Sequence, residues 1–307
     1  MTVSVTTVSG RVLSPTEVRA LSGRTNADGA MRLGIHGALL LGTGWLVAIA
    51  GPWTLLPAML ALGLVQVAAF APAHETMHQT AFASRRANAI VGWLTSCPSL
   101  LNAQFYAAFH LAHHRHTQVP GQDPELDTQQ VPTSIAAYVR RVLAIPYWRL
   151  RLHVIADCWR GDLSRYPYVG GSGGRIIASV RAMSLTMAGG SLASAVLFGW
   201  MTPFEFWIIP QLIGQPILRA YLLAEHTGCT LDRNGLTNTR TTLTNAAVRL
   251  LMWNMPFHAE HHLYPSIPFH RLADAHLVLR ERLGFVQPGY VRWNLGFVRQ
   301  LLARDAG

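Results

Sequence analysis

Gly63-Leu-Val-Gln-Val-Ala-Ala-Phe-Ala-Pro-Ala-His74-Glu-Thr-Met-His78 runs from apolar sequence straight into two histidines spaced four residues apart. The apolar part closes a longer stretch, Trp53 to Ala73, which has about the 20 residues a helix needs to cross a hydrocarbon core. Similar stretches run from Leu33 to Ala50, from Ala182 to Trp200 and from Phe204 to Ala224. Little more than Gly51 and Pro52 joins the first pair, and Met201 to Pro203 joins the second. The sequence therefore predicts an all-α integral-membrane protein, with four transmembrane helices in two hairpins whose short loops face one side.

Composition agrees with a membrane solvent. The 307 residues are 50% hydrophobic and only 13% charged, against about 25% charged in an ordinary soluble domain. A net charge of +10 would raise the question of nucleic acid in a soluble protein, but the position of the basic residues decides their meaning. All 25 are arginine; neither short loop contains one, whereas Ala73 to Arg175 carries ten and the tail after Ala224 nine. By the positive-inside rule both long segments, and with them both termini, are expected in the cytoplasm. The charge is thus read as sidedness, and no nucleic-acid partner is expected. The first thirty residues lack the basic start, apolar run and small-residue cleavage site of a signal peptide. Cys97, Cys158 and Cys229 lie too far apart to suggest a zinc site or a disulfide framework.

A further apolar run, Ala89 to Phe109, contains Ser96, Pro98, Ser99, Asn102 and Gln104, and is expected in or near the interface rather than across the membrane. Ser134 to Trp159 mixes Arg140, Arg141, Arg149 and Arg151 with Tyr147, Trp148 and Trp159. That composition suits a headgroup-level helix, and equally a solvated cap helix. With no repeat and no break in composition, residues 1–307 read as a single domain.

Nine of the 14 histidines fall into three clusters and one single residue: His74 and His78; His110, His113 and His114; His258, His261 and His262; and His226. Spacings of three and four put imidazoles on one helix face, about 5–6 Å apart at Cβ. Imidazole is a good ligand for iron, zinc and copper. His74 and His226 emerge directly from the second and fourth expected spans, on the side where the other two clusters lie. All nine can therefore converge just below the membrane; had Ala89 to Phe109 crossed it, the first two clusters would face opposite compartments. Nine imidazoles are too many for one ion and suit two, so a dinuclear site is expected.

His116 lies two residues past His114, far round the helix, and is left out. His36, His153, His270 and His276 are isolated and are read as ordinary core or surface residues. Glu75, Glu225 and Glu260 stand beside the clusters, where each either accepts the outer ring N–H of a ligating imidazole or simply faces water. Asn254, four residues before His258, either holds a metal-bound water or caps a helix. Arg219 lies inside the fourth span, two turns before His226. It either snorkels to the cytoplasmic edge, the preferred reading, or grips a polar group of the substrate.

The three clusters resemble the histidine boxes of the membrane fatty-acid desaturase family. So do Gln122-Asp123-Pro124-Glu125 after the second box, Ala224-Glu225-His226, and His262-Leu-Tyr-Pro-Ser-Ile-Pro after the third. The resemblance covers roughly Pro72 to Leu272. It implies two iron ions held by the nine histidines, dioxygen as co-substrate, a lipid or acyl substrate, and a four-helix membrane domain with a cytosolic helical cap over the metal site. A bent apolar channel between the helices is expected to hold the chain. No cofactor domain is fused and no rubredoxin-like cysteine set is present, so electrons are expected from an external donor of ferredoxin, rubredoxin or cytochrome b5 type with its reductase. The boxes are shared with lipid hydroxylases and ketolases, the alternative reaction. The short gap in the first box departs from the acyl-CoA desaturases. A membrane metal-binding or transport protein is the rival from another class, but it predicts acids or histidines within the spans, where apart from His36, Glu205 and Arg219 none occurs. A zinc hydrolase leaves too many imidazoles unexplained.

Overall fold

The computed structural model describes residues 12–128 and 130–306, which are mostly helical. α1 (Pro15–Leu21) starts from a reciprocal capping box between Ser14 and Glu17. In α2 (Asn26–Ala48) the Thr25 hydroxyl accepts the Asp28 N–H. α3 (Leu55–Ala68) and α4 (Phe70–Met77) continue each other across Ala69. Next come α5 (Arg85–Ser96), α6 (Ala103–His116), α7 (Pro124–Thr128), α8 (Ile135–Val142), α9 (Ile145–Arg160) and α10 (Gly173–Phe198). A π-helical turn, Phe204–Ile208, opens into α11 (Ile209–His226). Short elements complete the chain: β1 (Thr241–Leu243), α12 (Ala246–Leu251), α13 (His258–Leu263), α14 (Leu272–Leu279), β2 (Val286–Pro288) and α15 (Tyr290–Asp305).

The two strands correct the all-α expectation in a small way. They pair in parallel, Thr241 opposite Val286 and Leu243 opposite Pro288. Parallel strands need a long crossover, and here the crossover carries α12 to α14, so the ladder closes the loop that presents the third histidine cluster.

Among the described residues three helices are long and apolar enough to cross a membrane: Asn26–Ala48, Leu55–Met77, and Pro167–Phe198, which is α10 with its leading turns. The first and third begin earlier than Leu33 and Ala182. Large apolar side chains of α2 and α10, among them Leu41, Trp45, Leu192 and Phe198, face outward, as suits lipid. The fourth expected span, Phe204 to Ala224, is helical but is not among these three. Its polar residues explain this: Gln211, Gln215 and Arg219 lower its hydropathy, yet all three are buried inside the protein.

The second pair of helices also departs from expectation. α2 packs on α3, but α10 lies on α9 and α6, whereas α11 lies along α3. The α3–α11 seam has a local cause. Pro210 has no N–H to offer the Phe206 carbonyl, and the Gln66 side chain from α3 donates to that carbonyl at 2.6 Å instead. Gly63 and Gly214 let the two backbones touch: a Cβ on Gly63 would meet Pro210 O at 2.3 Å, and one on Gly214 would meet Gly63 O at 2.5 Å. Since backbone cannot step aside as a flexible side chain can, Gly63→Ala should destabilise the protein by about 1–3 kcal/mol. An unchanged thermal midpoint in detergent would refute this close approach.

The apolar run Ala89 to Phe109 breaks at Cys97–Ser99 and at Leu100, which has a left-handed φ of 51°. It forms α5 and α6 rather than one continuous span. Near the start of the described residues, the Val12 and Leu13 N–H groups both donate to Tyr264 Oη at 2.7 Å. Residue 12 thus lies beside the third histidine cluster. Residues 1–11 and 307, on which the expectation for the termini partly falls, lie outside the described residues.

Candidate metal centre

Four helix ends deliver the histidines. α4 presents His74, with His78 at its C-cap, and Gln79 then turns away with φ 59°. The Asn102 side chain accepts the Gln104 and Phe105 N–H groups, which starts α6 at the phase that turns His110, His113 and His114 inward. α11 ends on His226, and the six-residue α13 carries His258, His261 and His262.

The rings gather into two adjoining groups. In one, single nitrogens of His74, His78, His110, His114 and His261 all lie within 4.8 Å of one another; in the other, those of His113, His226 and His262 do so. His114 stacks on His262 across the boundary, with centroids 4.0 Å apart. His258 joins neither group in full: its Nε2 lies 3.2 Å from His226 Nε2 and 3.4 Å from Glu225 Oε2.

The nitrogen chemistry fits metal ions and does not fit protons. His110 Nε2 faces His78 Nε2 at 2.9 Å and His114 Nε2 at 3.0 Å, while His114 Nε2 also faces His261 Nε2 at 3.2 Å. In a neutral imidazole each Nε2 offers either one N–H or one lone pair, so His110 Nε2 and His114 Nε2, each facing two other ring nitrogens, cannot hydrogen-bond to both. Both His74 nitrogens are buried without any hydrogen-bond partner. The second group is prepared differently. His113 Nδ1–H donates to Asp123 Oδ1 at 2.9 Å and His226 Nδ1–H to the Asn238 carbonyl at 3.2 Å. The Thr117 hydroxyl gives its proton to the His113 carbonyl at 2.8 Å, so it accepts from His262 Nδ1–H at 3.2 Å. In all three rings this leaves Nε2 free as a ligand atom. A set made of imidazole nitrogens suits iron, zinc or copper.

The family model for fatty acid desaturases matches residues 50–294, a range that contains all nine of these histidines. The chain belongs to the fatty acid desaturase family. Comparison with individual curated proteins finds no match.

Burial keeps most of the rings in this centre free of protons. It pushes His110, His114, His258, His261 and His262 well below the ordinary imidazole range, helped by neighbouring rings. Burial likewise takes His78 down to about 3. His113 is the exception: burial opposes its protonation, but Glu125 and Asp123 outweigh burial and raise it. The depressed rings fix the sign of a pH effect. Below about pH 6.5 the unfolded chain takes up protons on histidines that the folded metal-free protein keeps neutral. Stability of the metal-free protein should therefore be fully present above that pH and fall as the solution is acidified. Unfolding midpoints measured from pH 8 to pH 5 (roughly the range over which free imidazole titrates) test this, and a flat profile would contradict it.

The acids beside the histidine clusters behave differently from expectation. Glu75 is fully buried but accepts from Thr80 Oγ1 at 2.7 Å and the Phe269 N–H at 3.3 Å, not from an imidazole of the site. Glu260 accepts from Thr241 Oγ1 and pairs with His276, a histidine read from sequence as isolated. Glu225 does reach a ring, but it lies against the inner Nε2 of His258 rather than an outer N–H. Asn254, in a left-handed turn at φ 57°, donates its side-chain N–H to the Phe269 carbonyl at 3.0 Å and accepts from Arg249 at 3.2 Å, while its backbone N–H closes the C-terminal end of α12 on the Arg249 carbonyl at 2.9 Å; its side chain makes no hydrogen bond to the histidines. Arg219 does not snorkel: it is buried, its guanidinium lies 4.4 Å from the Tyr147 ring centre, and it lines a cavity beside the histidines.

Asp123 is the residue that reading by sequence neighbourhood missed. It is completely buried, and besides holding His113 it accepts the Gln118 and Glu125 N–H groups, each at 2.8 Å. Its signal was the run Gln122-Asp123-Pro124-Glu125 itself: an Asp before Pro shortly after a metal-type cluster. The cavity beside the rings also differs from a wholly apolar channel, since Tyr106, Tyr147, Arg151 and Glu125 line it along with Phe70 and Leu101.

Proposed function

We propose that this protein is a dioxygen-dependent di-iron membrane desaturase that introduces a double bond into a fatty acyl or other lipid chain. The observation that carries this reading is the pair of adjoining buried imidazole groups in a chain of the fatty acid desaturase family. The nine histidines are the proposed iron ligands: His74, His78, His110, His114 and His261 for one ion; His113, His226 and His262 for the other, with His258 beside them. Iron, when bound, supplies with dioxygen the oxidising power to remove hydrogen from an unactivated methylene.

The residues of the chain do the positioning. Asp123, Asn238 and Thr117 hold three rings with Nε2 inward. Phe70, Leu101, Phe109 and Met255 give the cavity its apolar walls and exclude water. Overall, two hydrogens leave adjacent carbons, an external donor supplies two electrons with two protons, and dioxygen is reduced to two waters. The donor is proposed to be of ferredoxin, rubredoxin or cytochrome b5 type, because the three free cysteines, two buried and one partly so, form no redox set.

We place the helix from Phe204 to Ala224 in the membrane as a fourth span of a single domain, with its buried polar residues against α3, and the metal site and both termini on the cytoplasmic side. The arginine asymmetry and the tie from residues 12 and 13 to Tyr264 support that sidedness. Mass spectrometry of lipids from cells with and without the protein, grown under heavy dioxygen, tests the reaction. A product lacking two hydrogens and carrying no heavy oxygen is expected. Incorporation of one heavy oxygen atom would show hydroxylation instead.

A further inference from the structure

The cavity shared by His74, His110, His113 and His258 has about 40 Å³ of free space, room for about three waters or one small oxyanion. Two arginines line it. Arg151 from α9 and Arg219 from α11 are each only 5% exposed, and both Nε atoms are buried without a partner. Their guanidinium groups lie 5.1 and 4.4 Å from the centre of one ring, Tyr147. The Tyr147 hydroxyl donates to the Ser99 carbonyl at 2.6 Å, which fixes the ring between helices.

Buried cations without a counter-charge are costly, and neither arginine forms an ion pair among the described residues. Two carboxylates, Glu125 and Glu225, line the same cavity. Both are turned to the histidines: Glu125 Oε2 lies 3.8 Å from His113 Nε2, and Glu225 Oε2 lies 3.4 Å from His258 Nε2. Any metal ion held by the rings would draw them further that way and add positive charge. The arginine end of the cavity is thus built for an anion that the protein does not itself provide.

We infer that Arg151 and Arg219 hold the anionic head, a carboxylate or a phosphate, of an amphiphilic substrate. Calling that ligand a substrate rests on the oxidase reading above. Because head and histidines share one small cavity, the carbons offered to the metal side are those next to the head. A neutral lipid, or a substrate whose charge stays at the protein surface, would leave both arginines unpaired.

The test is displacement of radiolabelled laurate from the iron-loaded protein in lipid nanodiscs. Laurate should displace, dodecanol should not, and dodecyl phosphate separates the two head chemistries: displacement by it admits phosphate, and failure confines the site to carboxylate. Arg219→Gln and Arg151→Gln should each weaken laurate binding roughly tenfold or more, the scale of one charge-assisted hydrogen bond, and narrow its advantage over dodecanol. Equal displacement by laurate and dodecanol would overturn the inference, as would variants that bind laurate like the parent protein. Should one variant fail to fold, the laurate–dodecanol comparison on the parent protein still decides. Laurate binding with no product would count against the oxidase reading alone, whereas product formation with no head preference would count against the anion site alone.

Discussion

Replacing His113 with alanine is expected to abolish turnover and to leave the purified protein short of iron. The ring is 1% exposed and is one of only three in its group. Its removal takes away one of the three nitrogens that converge in its group and leaves His226 and His262 with only the more distant His258 to replace it. Metal binding and folding are coupled in such sites, so the variant should also melt earlier when prepared with iron. His116→Ala is the control: it lies on the same helix but belongs to neither group, and it should keep both iron and turnover. Elemental analysis of the two variants against the parent protein settles the matter. Normal iron with full activity in His113→Ala would sink the assignment.

The second large effect is expected from Asp123→Asn. The side chain keeps its size, but an amide presents one oxygen and one NH2 group where the carboxylate presented two acceptors. Asp123 now accepts from His113 at Oδ1 and from the Gln118 N–H at Oδ2. An asparagine would meet one of those donors with its own N–H. Either His113 loses the partner that keeps its proton on Nδ1, or the turn after α6 loses its anchor. Removing a group that orients a metal-bound histidine costs roughly 10–100-fold in metal affinity. Competition for iron against a chelator reads that affinity directly, without relying on turnover. Parent-like iron affinity would reduce Asp123 to a turn residue.

Helical spacing made the candidate centre legible, because positions three and four apart share a face wherever a helix forms. The same rule explains why the nearby acids were misread. Glu75 is one residue from His74, and one residue is about 100° of helix, which points it toward Thr80 and Phe269. Glu260, set between His258 and His261, is turned to Thr241 and His276 for the same reason. Asn254 is four residues before His258, but the helix starts only at His258, so the spacing has no face to act on. Asp123 reaches His113 through a left-handed turn at Gln118, φ 60°, a contact that periodicity does not encode. The fourth apolar stretch shows the converse. Hydropathy sums Gln211, Gln215 and Arg219 whichever way they face, whereas the fold buries them against protein.

The histidines also carry a timetable. Four of the five rings in the larger group, His74, His78, His110 and His114, are synthesised within the first 114 residues, while the smaller group has His113 alone until His226. Both groups wait for α13 to supply His261 and His262. On the ribosome, then, the larger group offers a nearly complete nest of nitrogens long before the smaller one exists. Between residues 114 and 261 these four imidazoles form the larger nitrogen set on the growing chain, and because imidazole binds zinc and copper as well as iron, the supply of those ions during synthesis is predicted to bear on how the site is loaded.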